Sequence, residues 1–346
     1  MGKRINATQK IRIGDTTVGA GEPAYVIAEV AGSHEGNLET AKKMVIAASE
    51  AGAGAVKFQI FQADELVTAH HPKYKSFQEV EFQPEEWNEL LEYAQNFKIV
   101  FLADVFDLPS LQLMDRLEVH GYKIHLTNLT NPYMLTAVAK TKKPVFLATG
   151  GAKPEEIESA INILKNNGND NIILMQGYQA YPTRLEEVNF RAINKLRKMF
   201  QCPVGFLDHV DGGTEMAMIV PIVSIAWDAC VIEKHFTLDR NLGGRDYFSA
   251  LNPDEFKLLV QNIREIEKTF GTGDFKLSAE ELKYRNEVMK NIVARVHIAR
   301  GTQITEAMLA FKRSEPGLPP SEASRITGRF ARADIDKDEN ITWDNV

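Results

Sequence analysis

The sequence is poor in cysteine and has neither a long apolar run nor a long basic run. Its two cysteines, Cys202 and Cys230, are too few for a disulfide scaffold and are typical of a reducing cytoplasm. No stretch approaches the ~20 apolar residues that span a bilayer. The opening MGKRINATQKIRIG has no apolar core, so no signal peptide is expected. With a formal net charge of -7, the sequence predicts a cytoplasmic protein that binds neither nucleic acid nor membrane.

What the sequence does contain is a regular alternation of strand-like and helix-like segments. Apolar runs of strand length occupy residues 24–31, 55–60, 99–106, 122–126, 144–150, 171–177, 203–209 and 229–236. Amphipathic patterns lie between them, for example at 38–52, where Gly52 marks the end of a helix. Eight strand–helix units in roughly 240 residues predict an α/β fold, a (β/α)8 barrel. A doubly wound open sheet remains the alternative.

The chain changes character at both ends of this alternation. Residues 12–19 predict a short hairpin within an N-terminal segment, 1–22, and the barrel is expected to span 23–270. Residues 271–290 are polar and predict a linker with a helical stretch. The last segment, 291–346, has short strands and glycine turns and predicts a small β-rich domain.

Polar and charged residues gather where the predicted strands end, which is where barrel enzymes place their active sites. His209 and His235 end the seventh and eighth strands, and two imidazoles there can converge on a divalent cation. Glu233 points to the same side as His235, because strand side chains alternate. The alternative interpretation is a set of ordinary polar residues at the barrel mouth.

Two lysines lie inside the same predicted barrel, Lys57 on the second strand and Lys123 on the fourth. A buried lysine needs an anionic partner, either a carboxylate such as Glu29 or a bound phosphate. The turn 148–151 precedes a helix and is of a kind that holds phosphate, although such turns are also plain loops. Together these residues suit a small anionic substrate and a carbonyl polarised by a metal.

Several longer motifs make the sequence resemble the sialic acid synthase family, which includes legionaminic, pseudaminic and spore-coat polysaccharide enzymes. The motifs are AEVAGSHEG (28–36), AGAGAVKFQIFQADEL (51–66), YPTRLEEVNFRAI (181–193), VGFLDH (204–209), IEKHFTLDRNLGGRD (232–246), ARGTQIT (299–305) and KRSEPG (312–317). The resemblance implies a (β/α)8 barrel followed by a small antifreeze-like (SAF) domain, in a domain-swapped homodimer. It also implies that phosphoenolpyruvate condenses with an N-acyl amino sugar to a 2-keto-3-deoxy sugar acid for surface polysaccharides.

The resemblance also implies roles for individual residues. A divalent cation, Mn²⁺ first and Mg²⁺ or Co²⁺ as alternatives, would bind His209 and His235. Glu29, Glu233 and Asp246 would join the histidines in catalysis. Lys57, Lys123 and Tyr181 would bind substrate, as would Arg313 from the partner subunit, with Lys312 as the alternative. Apart from the resemblance, we also expect substrate contacts at or just after the ends of predicted strands three, five and six, from Asp104, Thr149, Gln176 and Gln179.

The sequence departs from the family pattern in the half of the site that holds phosphoenolpyruvate. Where the family has hydroxyl side chains, this sequence has Asp104, Leu126, Ala148 and Leu207, and the family's H-C-T-S after strand six is replaced by residues 176–179, Gln-Gly-Tyr-Gln. Three hypotheses follow: a divergent synthase that still uses phosphoenolpyruvate, a metal-dependent synthase or aldolase with another donor, or a sugar-binding homologue without catalysis.

Overall fold

The chain forms two compact units, one ending at Phe270 and the other spanning Gly271–Val346. The computed structural model describes residues 9–346. The first eight residues of the predicted N-terminal segment, and of the stretch searched for a signal peptide, lie outside the described residues.

Eight parallel strands of the first unit close into a barrel, which confirms the predicted fold and excludes the open sheet. The first two strands of the chain, β1 (Ile11–Ile13) and β2 (Thr16–Val18), form a separate antiparallel hairpin. The barrel strands are β3 (Tyr25–Ala31), β4 (Ala55–Ile60), β5 (Val100–Val105), β6 (Gly121–Ile124), β7 (Val145–Ala148), β8 (Ile172–Gln176), β9 (Val204–Asp208) and β10 (Val231–His235). β10 pairs with β3 and so closes the ring. The fourth predicted strand ends two residues early, at Ile124, because His125 begins a 3-10 turn.

Helices cover the outside of the barrel. They are α1 (Leu38–Glu50), α2 (Ala63–Leu66), α3 (Tyr74–Gln78), α4 (Pro84–Gln95), α5 (Leu108–Arg116), α6 (Pro132–Lys140), α7 (Pro154–Asn166), α8 (Arg191–Phe200), α9 (Met216–Ala226) and α10 (Pro253–Glu267). Several begin at a proline, whose missing N–H costs nothing in the first turn. Asn37 caps α1 by accepting a hydrogen bond of 2.9 Å from the Thr40 amide. Within residues 9–346, no helix is both long and apolar enough to cross a membrane.

The inside of the barrel is filled from its N-terminal end. Ile11, Ile13 and Val18 of the hairpin are buried against inward-facing barrel residues that include Phe146 and Met175. Because this apolar plug fills the lower half, an open site can form only at the end where the strands finish.

The second unit has a small core of its own. The elements of this unit are α11 (Ala279–Val288), the antiparallel pair β11 (Lys290–Ala294) and β12 (Leu309–Arg313), and α12 (Ala323–Ile326). Its isoleucines, among them Ile292, Ile304 and Ile335, are almost fully buried. The unit is thus built on short strands and turns, as the glycine pattern predicted.

The alternation of side chains also places an ion pair on the outer face of the barrel wall. Lys234 and Asp208 are 0% and 1% exposed, and their Nζ and Oδ2 atoms are 2.6 Å apart. We predict that Lys234→Met lowers the free energy of unfolding by about 3–5 kcal/mol, because it leaves a buried carboxylate without its cation. Chemical denaturation measures the change.

The matched control for this prediction is Lys268→Met. Lys268 pairs with Glu265 at 2.6 Å, but its side chain is 68% exposed. Such a pair contributes about 0–1 kcal/mol. Equal losses for the two variants would contradict the structural role of the buried pair.

Candidate active site

Five charged side chains meet at the C-terminal end of the barrel and form what we call the charge cluster. Its members are Glu29, Lys57, Asp104, Lys123 and Glu233, from β3, β4, β5, β6 and β10. On β3, β4, β5 and β10 the member lies two residues beyond an inward-facing residue, as the period of two requires. All five are at most 5% exposed.

Glu233 lies at the centre of the charge cluster. Its Oε2 is 2.5 Å from Lys57 Nζ, and its Oε1 is 2.7 Å from Lys123 Nζ. Glu29 also pairs with Lys57, and Asp104 Oδ2 lies 3.6 Å from Lys123 Nζ. Three carboxylates and two ammonium groups give the cluster a formal charge of -1 when all are ionised.

The two glutamates differ in their affinity for a proton. Burial acts to raise the pKa of Glu233, but Lys123 and Lys57 outweigh burial and hold that pKa well below its usual range. For Glu29, burial is the largest effect, and it raises the pKa to about 7 against the attraction of Lys57. Glu233 therefore stays ionised, whereas Glu29 can exchange a proton near neutral pH.

A local irregularity fixes the position of Glu29. The pairing of β3 with β4 shifts register between Glu29 and Ala31, and Ala31 has a φ of 49°. The Ala31 amide donates a hydrogen bond of 2.8 Å to Glu29 Oε1. The other carboxylate oxygen, Glu29 Oε2, pairs with Lys57, so the bulge orients the carboxylate toward the inside of the barrel.

The two histidines lie beside the charge cluster. The ring centroids of His209 and His235 are 5.4 Å apart, and both residues are buried. His209 Nδ1 is 2.8 Å from the carbonyl oxygen of Tyr178. A carbonyl oxygen can only accept a hydrogen bond, so Nδ1 carries the hydrogen and Nε2 carries the lone pair that could bind a metal. Burial lowers the pKa of His209 to about 3, and that of His235 also lies well below its usual value. Both imidazoles are therefore neutral at pH 7.

Neutral imidazoles are suited to bind a divalent cation, and a second observation supports this. The buried Nδ1 of His235 has no hydrogen-bond partner within residues 9–346. Across the same residues, no group of three or more His, Cys, Asp or Glu side chains is arranged to hold a metal. His209 and His235 are the residues that could hold such an ion, and two imidazole ligands would leave positions for substrate or water.

Tyr181 and Gln179 stand next to the histidines. The Tyr181 ring lies 4.3 Å from the His209 ring, centroid to centroid, and its hydroxyl donates to Gln179 Oε1 at 2.9 Å. Burial raises the pKa of Tyr181 well above 10, so the phenol keeps its proton. These two predicted substrate contacts therefore lie beside the proposed metal ligands.

Two other predicted substrate contacts point away from the charge cluster. Thr149 and Gln176 each follow an inward-facing residue and so face the outer side of the wall. Thr149 Oγ1 donates to the Met175 carbonyl, and Gln176 Nε2 donates to the Val188 carbonyl. Both line a cavity of about 200 Å³ beneath α8. The structure does not bring them together with the lysines, and their contact with substrate stays a prediction.

Arg245 is a residue that the sequence analysis missed. Its Nη2 donates to the carbonyl and hydroxyl oxygens of Ser76, at 2.6 and 2.7 Å, and its amide donates to Glu35 Oε1. A Cβ on Gly32 would lie 2.7 Å from Arg245 Cδ, so a larger residue there would displace the Arg245 side chain. Arg245 thus ties the loop after β10, which carries Asp246, to the loop after β3. The one indication in the sequence was the position of Arg245 directly before the predicted catalytic residue Asp246.

The predicted residues of the second unit differ in their contacts. Lys312 forms an ion pair with Asp338, whereas Arg313, at the end of β12, is exposed and forms no ion pair within residues 9–346. Arg313 is therefore the better candidate of the two for binding an external group.

Comparison of the sequence with models of known protein families assigns the chain to a family. A model described as the NeuB family matches residues 44–275, and one described as the SAF domain matches residues 291–346. The chain belongs to the NeuB family. The resemblance to sialic acid synthases is thereby confirmed, and the second unit carries a SAF domain.

Individual relatives extend this result over the length of the chain. The N,N'-diacetyllegionaminic acid synthase of Legionella pneumophila is 34% identical over 95% of this chain and 96% of its own. An uncharacterized protein of Methanocaldococcus jannaschii is 38% identical over 98% and 99%. The crystal structure of the sialic acid synthetase of Leptospira borgpetersenii, in complex with citrate, has a TM-score of 0.75 and 32% identity, covering 81% of this chain and 98% of that one.

The histidine pair generates a direct prediction about metal binding. His209→Ala and His235→Ala should each weaken Mn²⁺ binding by at least about tenfold, because each removes one of two imidazole ligands. Titration calorimetry on the purified full chain measures this without turnover. His297→Ala, which changes an exposed histidine of the SAF domain, is the control. Unchanged Mn²⁺ affinity in both barrel variants would rule out the two-imidazole site.

Proposed function

We propose that this protein condenses phosphoenolpyruvate with an open-chain N-acyl amino sugar, giving a 2-keto-3-deoxy sugar acid and phosphate for surface polysaccharide synthesis. C3 of phosphoenolpyruvate forms a bond to the aldehyde carbon, and the aldehyde oxygen takes up a proton. Water then adds at C2, and phosphate leaves as the keto group forms. The names of the relatives support a synthase, and they favour neither another donor nor a binding protein without catalysis.

The single observation that carries this proposal is the pair of buried lysines at the barrel mouth. An ammonium group has three N–H donors, and the carboxylates of the charge cluster engage only some of them. Lys57 and Lys123 therefore have donors left for the carboxylate and phosphate of phosphoenolpyruvate. Glu233 keeps both ammonium groups in place, since it contacts each of them.

Other residues of the barrel mouth are assigned to the acceptor sugar. Glu29, with its raised pKa, donates or accepts the proton that the aldehyde oxygen and the attacking water require. Tyr181 and Gln179 form a wall of the sugar pocket, and Asp246 binds sugar hydroxyls. His209 and His235 hold a divalent cation, which we propose to be Mn²⁺, and when bound it supplies polarisation of the sugar carbonyl.

The proposal includes a second copy of the chain. In a domain-swapped homodimer, Arg313 of one subunit would bind the N-acyl group of a sugar in the barrel of the other. Its exposed guanidinium, which within residues 9–346 has no ion pair of the kind that engages Lys312, supports this assignment. We further propose that the protein acts in the cytoplasm, where phosphoenolpyruvate is available.

Phosphate release tests the reaction itself. With Mn²⁺, phosphoenolpyruvate and a panel of N-acyl hexosamines, the protein should release phosphate only when an accepted sugar is present. Lys57→Met and Lys123→Met should each lower kcat/KM for phosphoenolpyruvate by a factor of about 30 or more, since each removes a desolvated cation. The control is Lys276→Met, in an exposed stretch before α11. Failure of the protein to release phosphate with any sugar would refute the proposal.

A mixing experiment tests the swapped arrangement. The His235→Ala subunit has an inactive barrel but an intact Arg313, and the Arg313→Ala subunit has an intact barrel but no Arg313. In a mixed dimer, the intact barrel receives Arg313 from the His235→Ala subunit, so one of the two sites is complete. After subunit exchange between the two inactive variants, about a quarter of the wild-type sites should be restored. Lys312→Ala alone should remain active. If no activity returns, Arg313 does not act across subunits.

A further inference from the structure

Asp104 is the member of the charge cluster that the proposed reaction does not explain. It is fully buried, and neither of its carboxylate oxygens has a hydrogen-bond partner within residues 9–346. Its contact with Lys123 is loose, at 3.6 Å, whereas Glu233 contacts the same ammonium at 2.7 Å. A buried carboxylate without hydrogen bonds is costly, which points to a role for it at the site.

The charges around Asp104 show what it does to an incoming anion. Lys123 and His125 lie near it on β6 and the turn that follows, and Glu29 lies near it on β3. Burial lowers the pKa of His125, so its imidazole adds no charge. Glu233 on β10 and Lys57 on β4 complete the cluster through their contacts with Lys123 and with each other. Without Asp104, the remaining two carboxylates would balance the two lysines. Asp104 therefore adds the one uncompensated negative charge of the charge cluster.

That extra charge stands beside the group on which the donor is proposed to bind. An oxyanion that accepts a hydrogen bond from Lys123 comes within about 6–7 Å of Asp104 Oδ2, since both contact one nitrogen atom. At an effective dielectric constant of about 20, repulsion between unit charges at about 6 Å corresponds to a factor of about one hundred in affinity. Two neighbouring acids in a site without water avoid this repulsion by sharing a proton.

We propose that Asp104 determines the charge of the donor that this pocket accepts, so that phosphoenolpyruvate binds together with one proton taken up from solvent. The proton lies between Asp104 and an oxygen of the donor's phosphate, and it leaves with the phosphate product. This inference rests on the proposed function, because it places the phosphate of the donor at Lys123. It makes Asp104 a determinant of donor specificity.

Calorimetry on the Mn²⁺-loaded full chain tests the inference. Titration of phosphoenolpyruvate at pH 8 in two buffers of different ionisation enthalpy counts the protons taken up. The wild-type protein should take up about one proton per donor, and Asp104→Asn about none. Asp104→Asn should bind phosphoenolpyruvate at least about tenfold more tightly at pH 8, and its affinity for pyruvate, which has no phosphate, should change by less than about threefold. Glu29, with a pKa of about 7, gains a proton in both proteins as the pH falls from 8 to 6, so the wild-type protein should gain more affinity for phosphoenolpyruvate over this range than Asp104→Asn does.

The matched control is Asp115→Asn, which removes the same charge from a surface aspartate that faces Lys143 at 3.1 Å. It should bind phosphoenolpyruvate as the wild-type protein does. The inference is overturned if Asp104→Asn binds the donor equally or more weakly, or if it still takes up the proton. If the wild-type protein releases phosphate and Asp104→Asn behaves identically, only this inference fails. If neither protein binds phosphoenolpyruvate at either pH, the proposed function fails with it.

Discussion

The contact of Glu233 with two lysines is the interaction on which the rest of the site depends. One carboxylate binds Lys57 through Oε2 and Lys123 through Oε1, and all three side chains are buried. Without this carboxylate Lys57 would keep only Glu29, and Lys123 only the loose contact with Asp104 at 3.6 Å, so the free energy of unfolding would fall. With it, the lysines stay charged and in fixed positions, which is what recognition of a small dianion requires.

The barrel makes this arrangement possible through two properties of its strands. Parallel pairing brings β3, β4, β5, β6 and β10 to a common rim, and the period of two sends alternate side chains inward. The hairpin plug then closes the opposite end with apolar residues. Polar groups that enter the barrel can therefore be satisfied only by one another or by a ligand, so the fold itself concentrates charge at one mouth.

Much of this could be predicted from the sequence. The eight apolar runs predicted the closed barrel, and the strand ends predicted where Glu29, Lys57, Lys123, Glu233 and both histidines would lie. The side-chain contacts were harder to predict. Thr149 and Gln176 each follow an inward-facing residue and therefore point outward. Their place at a strand end did not reveal which way their side chains point. Arg245 lies in a loop, where side chains follow no helical or strand periodicity, so its contact with Ser76 could not be predicted. The bulge that orients Glu29 arises from the pairing of β3 with β4, which the sequence pattern of one strand does not reveal.

A crystal structure with Mn²⁺ and phosphoenolpyruvate would test the central claim most directly. We expect the donor to bind Lys57 and Lys123 with its phosphate next to Asp104, and the ion to bind the rings of His209 and His235. A donor bound instead in the outer cavity lined by Thr149 and Gln176, with the charge cluster unchanged, would contradict it.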